Sequence, residues 1–349
     1  MMINEKNQLT LGATGDILLH SRLYKTAKKL IGYNFDSKMN AAKPLFDSVD
    51  LSIVNQESII AGKELGLSSF PKFNSPVEIG DTLKRFGVDI VNIANNHALD
   101  KGPEGILKSI TNLEKRGLPY VGAYKSQEDK DTLRIIEKNG LKICFLSYTR
   151  GTNGIQMPKD QQYLVSKYDP SKLKKVTDLM RKIKKESIAD VIIASVHFGK
   201  EYHLFPSAEQ KEVSASLADA GADVILGHHP HVLQPPEWIY TSRGTKSIAA
   251  YSLGNFFSGQ FGLYRQIGAF FTVNIEKKED SKIINITNPK MKLTFVDSTD
   301  VQDYQIHLFD EIVKSRSVIK TETGEFESKQ VYEDIKHRLK TYMPDLTVE

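Results

Sequence analysis

The sequence is poor in cysteine and tryptophan, with one residue of each among 349. Cys144 therefore cannot form a disulfide within the chain, and its position in the apolar run LKICFLSY predicts a buried structural thiol. No uninterrupted apolar run approaches the roughly 20 residues of a membrane-spanning helix. The first residues, MMINEKNQLTLG, also lack the long apolar segment of a signal peptide. The sequence as given predicts a soluble chain with no membrane segment.

The chain also lacks a strong charge of either sign. Lys and Arg number 47 and Asp and Glu 43, which gives a net charge of +4. The densest basic stretch, KLKKVTDLMRKIKK at 172–185, has apolar residues at helical spacing and no interleaved aromatic residues. It is therefore interpreted as the solvated face of an amphipathic helix, and no nucleic-acid partner is expected.

Short apolar runs rich in β-branched residues predict strands at 9–15, 51–55, 88–94, 141–148, 190–199, 223–227 and 247–255. Helical periodicity lies between them at 76–87, 103–117, 170–187 and 207–221. Strands that are apolar almost throughout are buried on both faces, which is typical of a largely parallel or mixed sheet covered by helices. The predicted fold class is α/β.

The pattern changes near residue 264. Two segments with strand character, joined by a charged turn at 279–281, predict a hairpin, and residues 325–342 have helical character. We therefore predict a core at 1–263 that carries the chemistry, and a C-terminal β-hairpin and helical appendage at 264–349 packed on that core.

Polar residues follow the predicted strands where these end, which is the edge at which an open α/β sheet binds its ligands. Five strand ends supply them: Asp16; Asn55 and Glu57; Asn95, Asn96, His97 and Asp100; His197; and His228, His229 and His231. Carboxylates, imidazoles and an amide oxygen together suit first-row divalent metals. The sequence predicts a site for one or two ions of Mn, Fe or Zn, held by Asp16, Glu57, Asn96, His197, His229 and His231.

Each element also has a plainer interpretation. Asp16 after Gly15 is typical of a turn or a helix cap, and Glu57 alone would pass as a surface carboxylate. The HHPH run is more specific, because Pro230 restricts the backbone so that His229 and His231 can project to one side and share a metal. Five such coincidences at strand ends favour a metal site.

These residues resemble the poly-γ-glutamate capsule synthesis CapA family, of the calcineurin-like metallophosphoesterase superfamily. The resemblance covers about residues 9–260 and rests on seven ordered motifs: TGD at 14–16, NQE at 55–57, FNSP at 73–76, NNHALDKG at 95–102, HFGKEY at 197–202, GHHPHVLQ at 227–234 and SLGNF at 252–256. It implies a four-layered α/β/β/α core with two facing sheets and the site at their top.

By the same resemblance Asn96 binds metal and His97 assists the leaving group, with Asp100 orienting its ring. Glu57 takes the place of the usual bridging aspartate. The superfamily's opening Asp-x-His is here Asp16-Ile17-Leu18, so one imidazole is missing unless His20 reaches the site.

Residues around these motifs are candidates for substrate contacts. Glu201 and Tyr202 are expected to line the pocket by resemblance, and Lys200 would suit an anionic substrate if it faces inward. His203 is equally compatible with a substrate contact and a surface position. His228 is expected beside the ligands or at the surface, and Asn255 either orients the site by hydrogen bonding or forms a plain turn.

Two functions remain open. One is a metal-dependent hydrolase or transferase acting on an anionic envelope-related substrate, either a phosphate ester or poly-γ-glutamate. The other is a non-catalytic accessory protein that contacts subunits of a capsule synthase or export complex. Besides these two functions, the chain could be a soluble paralogue that acts outside any capsule pathway. It would be cytoplasmic, or would lie on the extracellular face of a bacterial membrane if an N-terminal anchor has been removed.

Overall fold

The computed structural model describes residues 7–278, 283–298 and 303–349. Its first eight strands are β1 (Gln8–Leu18), β2 (Leu51–Gln56), β3 (Ile90–Asn92), β4 (Tyr120–Val121), β5 (Arg134–Lys138), β6 (Leu141–Thr149), β7 (Val191–His197) and β8 (Val224–His228). The remaining strands are β9 (Leu233–Gln234), β10 (Glu237–Tyr240), β11 (Lys246–Ala250), β12 (Ser252–Leu253), β13 (Asn255–Ser258), β14 (Ile267–Lys277), β15 (Ile284–Asp297), β16 (Gln305–Leu308), β17 (Val318–Thr321), β18 (Gly324–Glu327) and β19 (Thr347–Val348).

The helices are α1 (Ser21–Thr26), α2 (Asp36–Met39), α3 (Lys43–Asp47), α4 (Glu78–Arg85), α5 (Gly102–Glu114), α6 (Gln127–Asp131), α7 (Lys174–Lys185), α8 (Ala208–Ala220), α9 (Phe309–Ser315) and α10 (Ser328–Leu339). The four helices predicted from periodicity correspond to α4, α5, α7 and α8. Ser207 starts α8 with a capping box, in which its side chain accepts from the amide of Gln210 and the Gln210 side chain accepts from the amide of Ser207.

Two sheets form the centre of the fold. The first has the order β16-β15-β14-β1-β2-β3-β4, with β13 beside the end of β1 and β19 beside β15. Strands β1 to β4 run parallel, whereas β14 is antiparallel to β1. The second sheet has the order β10-β11-β8-β7-β6-β5, with β6, β7, β8 and β11 parallel. Both sheets therefore point the carboxyl ends of parallel strands toward a common edge.

Three apolar clusters define the layers. Side chains of both sheets, among them Leu11 and Ile53 of the first and Ile193 and Leu226 of the second, share the central cluster. The opposite face of the first sheet packs against the helices at 21–113, and that of the second packs against α7 and α8. Because each sheet buries one face against the other and one against helices, the arrangement is a four-layered α/β/β/α sandwich. The predicted fold class is confirmed.

The C-terminal segment is joined to the core more closely than the sequence suggested. Strand β14 pairs with β1 from Gln8 through Thr14, so the predicted hairpin extends the first sheet instead of only packing on it. The predicted turn at 279–281 lies outside the described residues. The domain boundary at residue 263 stays a prediction. Strands β1 and β14, which lie on either side of that boundary in the sequence, pair within one continuous sheet.

The run at 247–255, predicted as one strand, is three strands in the structure. Strand β11 belongs to the second sheet and β13 to the first, with β12 between them. Gly254 adopts a φ of +64°, a left-handed value that permits this change of direction. The chain thus crosses from one sheet to the other at the motif SLGNF, which brings Asn255 beside Asp16.

This crossing predicts a strong effect of substitution at Gly15. A Cβ atom there would lie 2.1 Å from the carbonyl oxygen of Gly254, which also accepts the amide hydrogen of Asp16 at 2.8 Å. The next nearest atom is the carbonyl oxygen of Leu253, at 2.5 Å. Because both oxygens belong to the backbone and cannot move aside like a flexible side chain, Gly15→Ala is expected to lower the free energy of unfolding by at least about 2 kcal/mol. Urea denaturation measures this. Gly151→Ala is the control and should differ little from the wild type, because no atom of the described residues beyond its two chain neighbours lies within 4 Å of the new methyl group.

Cys144 lies in β6 and is buried, as the sequence predicted. Burial raises the pKa of its thiol to about 12, so a reactive thiolate is disfavoured. Among the described residues, no helix is long and apolar enough to cross a membrane.

Candidate metal centre

The strand ends bring the predicted ligands to one edge of the two sheets. Asp16 lies near the end of β1, Glu57 directly follows β2, and His197 is the last residue of β7. Asn96 follows β3, and His229 and His231 follow β8. Parallel pairing aligns these ends, because Asp16 is in register with Asn55 of β2 and His197 with His228 of β8.

Glu57 occupies the middle of the cluster. It is fully buried, and neither carboxylate oxygen has a hydrogen-bond partner in the described part of the chain. The nearest charged or basic atoms are Nε2 of His197, 3.5 Å from Oε1, and Nε2 of His231, 3.7 Å from the same oxygen. A buried carboxylate without partners is costly, so this position demands a cation or a proton.

His229 completes a group with the geometry of a metal site. Glu57, His229 and His231 each offer one ligand atom, and these three atoms all lie within 4.8 Å of one another. In the part of the chain that the structure describes, Nδ1 of His229 and Nδ1 of His197 are both buried without a hydrogen-bond partner. His229 adopts a φ of +98°, a strained value for a residue with a Cβ, and such strain concentrates at functional sites.

Asp16 lies on the other side of His231. Its Oδ1 atom accepts a hydrogen bond from Asn55 Nδ2 at 2.8 Å and lies 3.2 Å from His228 Nδ1, while Oδ2 lies 3.1 Å from His231 Nδ1. His231 thus lies between two buried carboxylates, with Nδ1 toward Asp16 and Nε2 toward Glu57.

Burial and charge set the protonation of the cluster. Burial raises the pKa of Glu57 well above its usual range, and Asp16 adds to this effect. Burial also disfavours charge on Asp16, but hydrogen bonds from His228 and His231 outweigh it and hold its pKa well below the usual range. Burial opposes protonation of His231, yet the adjacent Glu57 and Asp16 carboxylates raise its pKa to about 9.

The two remaining imidazoles behave differently. Burial, followed by the proximity of His231, lowers the pKa of His229 to about 4. Burial, followed by the proximity of His229, places the pKa of His197 well below its usual value. Both rings are therefore neutral at neutral pH, which is the form that binds metals.

The residues present fit a divalent metal ion. Within the described residues, Glu57 offers two unpartnered oxygens and His229 an unpartnered Nδ1, while His197 directs Nε2 toward Glu57 Oε1 at 3.5 Å. Asn96 Oδ1 lies 2.9 Å from His197 Nε2, so the amide oxygen predicted as a ligand is also within this cluster. Oxygen and imidazole nitrogen together are suitable ligands for a divalent metal.

His97 and Asp100 form a separate pair at the edge of the cluster. His97 Nδ1 lies 2.7 Å from Asp100 Oδ2, and that oxygen also accepts the amide hydrogen of Phe73 at 2.5 Å. The ring of Phe73 packs edge-on against His97, with centroids 4.7 Å apart. With Nδ1 engaged by the carboxylate, Nε2 of His97 is the atom left for proton exchange.

Several amides hold these loops together. Asn95 accepts from the amide of His97 at 3.0 Å and donates to the carbonyl of Gln56 at 3.0 Å, which joins the loops after β2 and β3. Asn255 Oδ1 lies 3.0 Å from His231 Nδ1, so it orients that ring rather than forming a plain turn. His228 likewise orients Asp16.

Three further residues that support the site were not predicted from the sequence as site residues. Asn92 Nδ2 donates to Asn55 Oδ1 at 2.8 Å, Asn153 Oδ1 accepts from Asn96 Nδ2 at 3.2 Å, and Phe73 holds Asp100. Asn92 lies in the predicted apolar strand at 88–94, where a buried amide needs a hydrogen-bond partner and could have indicated a contact with the site. Asn153 lies in a loop outside every motif, and nothing in the sequence marked it.

The residues after β7 lie at the rim. Tyr202 has a φ of +66°, and its ring is 6.2 Å from that of His231. Lys200 and Glu201 are exposed, and Glu201 is near enough to influence the pKa of Glu57 and His231. His203 is exposed and contacts the backbone of Glu201, which favours the surface interpretation.

His20 does not replace the missing imidazole. Its Nδ1 atom lies 3.1 Å from the carbonyl of Leu18 and 3.3 Å from the amide of Gly259, and its ring packs on Phe73. Burial lowers its pKa to about 3, so the ring is a neutral part of the core.

The four-layered sandwich with a polar cluster at the ends of both sheets is a metallophosphoesterase-like α/β fold. Among solved structures it is similar to NAD nucleotidase (NadN) of Haemophilus influenzae, with a TM-score of 0.51 at 14% sequence identity, over 98% of this chain and 57% of that one. At this level of identity the likeness shows the fold alone.

The chain belongs to the family described as bacterial capsule synthesis protein PGA_cap, whose model matches residues 10–260. It is 29% identical to the capsule biosynthesis protein CapA of Bacillus anthracis over 263 residues, and 28% identical to the PGA biosynthesis protein CapA of Bacillus subtilis over 267 residues. These matches cover 72% and 71% of this chain but 60% and 63% of the two relatives. The resemblance to the CapA family is thereby confirmed.

Proposed function

We propose that this protein is a divalent-metal-dependent hydrolase or transferase acting on an anionic envelope-related substrate, either a phosphate ester or poly-γ-glutamate. The observation that carries the proposal is Glu57, a fully buried carboxylate whose two oxygens have no hydrogen-bond partner among the described residues and which is surrounded by His197, His229 and His231. A scaffold has no need for such a costly group, whereas a metal site does.

In this proposal Glu57, His229 and His231 would hold one ion, with His197 and Asn96 beside them. Asp16 would be available as a ligand for a second ion, so one or two ions of Mn, Fe or Zn are expected. A divalent cation supplies Lewis acidity toward a phosphoryl or acyl oxygen and lowers the pKa of water in the site.

The chain's own residues would complete the reaction. Asp100 holds the His97 ring through Nδ1, which leaves Nε2 to donate a proton to the leaving oxygen or nitrogen. Asn255 and His228 keep His231 and Asp16 in place. Lys200 is available at the rim to attract a negatively charged substrate from solvent.

A cavity next to Tyr202 has room for a group larger than inorganic phosphate, although none of the proposed metal ligands is among its lining residues. Its volume is about 620 Å³, and its lining includes Tyr202, Val232 and Arg265 as well as Phe326 and Gln330 from the C-terminal segment. Tyr202 connects the two regions, because its ring faces His231 and also lies under the guanidinium of Arg265 at 4.8 Å.

The alternative is a non-catalytic accessory role in a poly-γ-glutamate synthase or export complex. The names of the family and of its two Bacillus relatives favour it, because they refer to capsule or PGA biosynthesis and not to hydrolysis. In that case a metal would stabilise the loops without turning over a substrate.

Metal analysis combined with an activity panel separates the two roles. We expect one or two divalent ions per chain and metal-dependent cleavage of a phosphomonoester, a phosphodiester or a γ-glutamyl peptide. Glu57→Gln keeps the shape but removes the charge, so it should lose both metal and turnover. Full metal loading without turnover on any of the three substrates would favour the accessory role instead.

A further inference from the structure

An unusual apolar turn lies on the surface between α1 and α2. We call residues 28–33, which begin with two lysines, the basic turn. Leu30 and Ile31 are 102% and 91% exposed, the highest values among the exposed large apolar side chains of the described residues. Single exposed apolar residues are common in soluble proteins, but two adjacent and fully exposed aliphatic side chains are not explained by folding.

The backbone of the turn makes this choice of residues more unusual. Lys28 and Tyr33 form an isolated antiparallel β-bridge, and the amide of Lys29 donates to the carbonyl of Gly32 at 3.0 Å. Leu30 and Ile31 therefore occupy the two central positions of a tight hairpin. Gly32 closes it with a φ of +68°. Such central positions normally hold short polar residues, and apolar ones that break this rule point to a binding role.

The turn is held firmly by the fold beneath it. Tyr33 packs edge-on against Tyr24 at 6.2 Å between centroids and stacks near Phe35 at 6.4 Å. Tyr24 and Phe35 belong to the apolar cluster that covers the first sheet. The exposed pair is therefore presented on an anchored hairpin and not on a free loop.

The charges around the pair are mostly positive. Lys25, Lys28 and Lys29 are exposed, and no acidic residue occurs from 17 to 35 in the sequence. Two nearby acidic groups are already paired, Asp36 with Arg85 at 2.7 Å and Asp303 with Lys38. Glu78, beside Gly32, is the acidic group that faces the turn directly.

We propose that the basic turn docks the protein on an anionic lipid bilayer, with Leu30 and Ile31 inserted among the acyl chains and the lysines on the headgroups. Apolar insertion combined with cationic attraction is how proteins without a spanning helix bind membrane surfaces. Neither contribution uses the candidate metal centre, so this inference does not depend on the proposed function.

Flotation of the full chain with vesicles tests the proposal. Wild type should bind vesicles of equal parts phosphatidylglycerol and phosphatidylcholine, and bind pure phosphatidylcholine vesicles weakly. Leu30→Ser/Ile31→Ser should reduce partitioning to the mixed vesicles by at least about tenfold. Lys28→Gln and Lys29→Gln should each reduce it by about fivefold, with a smaller effect at high salt.

Tyr240→Ser is the matched control, because Tyr240 is also an exposed apolar side chain but lies on β10 of the second sheet. It should leave binding unchanged. The proposal is overturned if wild type does not bind the mixed vesicles, or if Tyr240→Ser lowers binding as much as the double substitution. Sedimentation velocity adds the remaining outcome: a wild-type dimer that the double substitution dissociates, without vesicle binding, would identify a second copy as the occupant and overturn the lipid assignment.

Discussion

His231→Ala is expected to abolish metal binding and, with it, turnover. The imidazole lies between two buried carboxylates, 3.1 Å from Asp16 and 3.7 Å from Glu57, and it is 1% exposed. Its loss removes a ligand atom and also the hydrogen-bond partner that His231 provides to Asp16. We expect metal affinity to fall at least about a hundredfold, so that the purified variant retains only background metal.

His229→Ala should produce the same loss of metal for a different reason. His229 contributes a neutral imidazole to the group with Glu57 and His231, and it does not contact Asp16 through its side chain in the described structure. Metal content is measured on purified protein after dialysis against a defined concentration of each ion. His203→Ala, which changes an exposed histidine of a neighbouring loop, should keep its metal. Unchanged metal content in both the His229 and His231 variants would defeat the ligand assignment.

His97→Ala is expected to separate catalysis from metal binding. His97 contacts Asp100 and Phe73 instead of Glu57 or Asp16, and its free Nε2 is the proposed proton donor. A positioned acid of this kind contributes typically about 10²–10⁴-fold, so kcat should fall by that factor while metal content stays at the wild-type level.

A second substitution tests whether Asp100 acts through His97. Asp100→Asn retains the size of the side chain but removes the charge that holds the imidazole, so kcat should fall less than in His97→Ala and its pH profile should move. The rate on a substrate whose leaving group needs no proton should be restored toward the wild-type value in both variants. Full activity of His97→Ala on every substrate would remove His97 from catalysis.

Much of the fold followed from local patterns. The apolar runs at 51–55, 141–148 and 190–199 predicted β2, β6 and β7, because strands buried on both faces need apolar side chains throughout. The helices α4, α5, α7 and α8 were likewise marked by periodicity. The pairing of the C-terminal hairpin with β1 was not predictable, because strand pairing joins segments more than 250 residues apart and no local pattern encodes the partner.

The sequence by itself determined which residues are candidates: a carboxylate, an amide or an imidazole after each of five strands, a pattern that the chemistry of metal binding makes recognisable. Only the tertiary structure decided which of them meet. His228 reaches Asp16 across 212 positions of sequence, and His197 reaches Asn96 across 101. Asn153 joins the site from a loop that no motif marks. The physical reason is that ligand type is a property of single residues, whereas distance, burial and the resulting pKa arise when separate strands pair and exclude water.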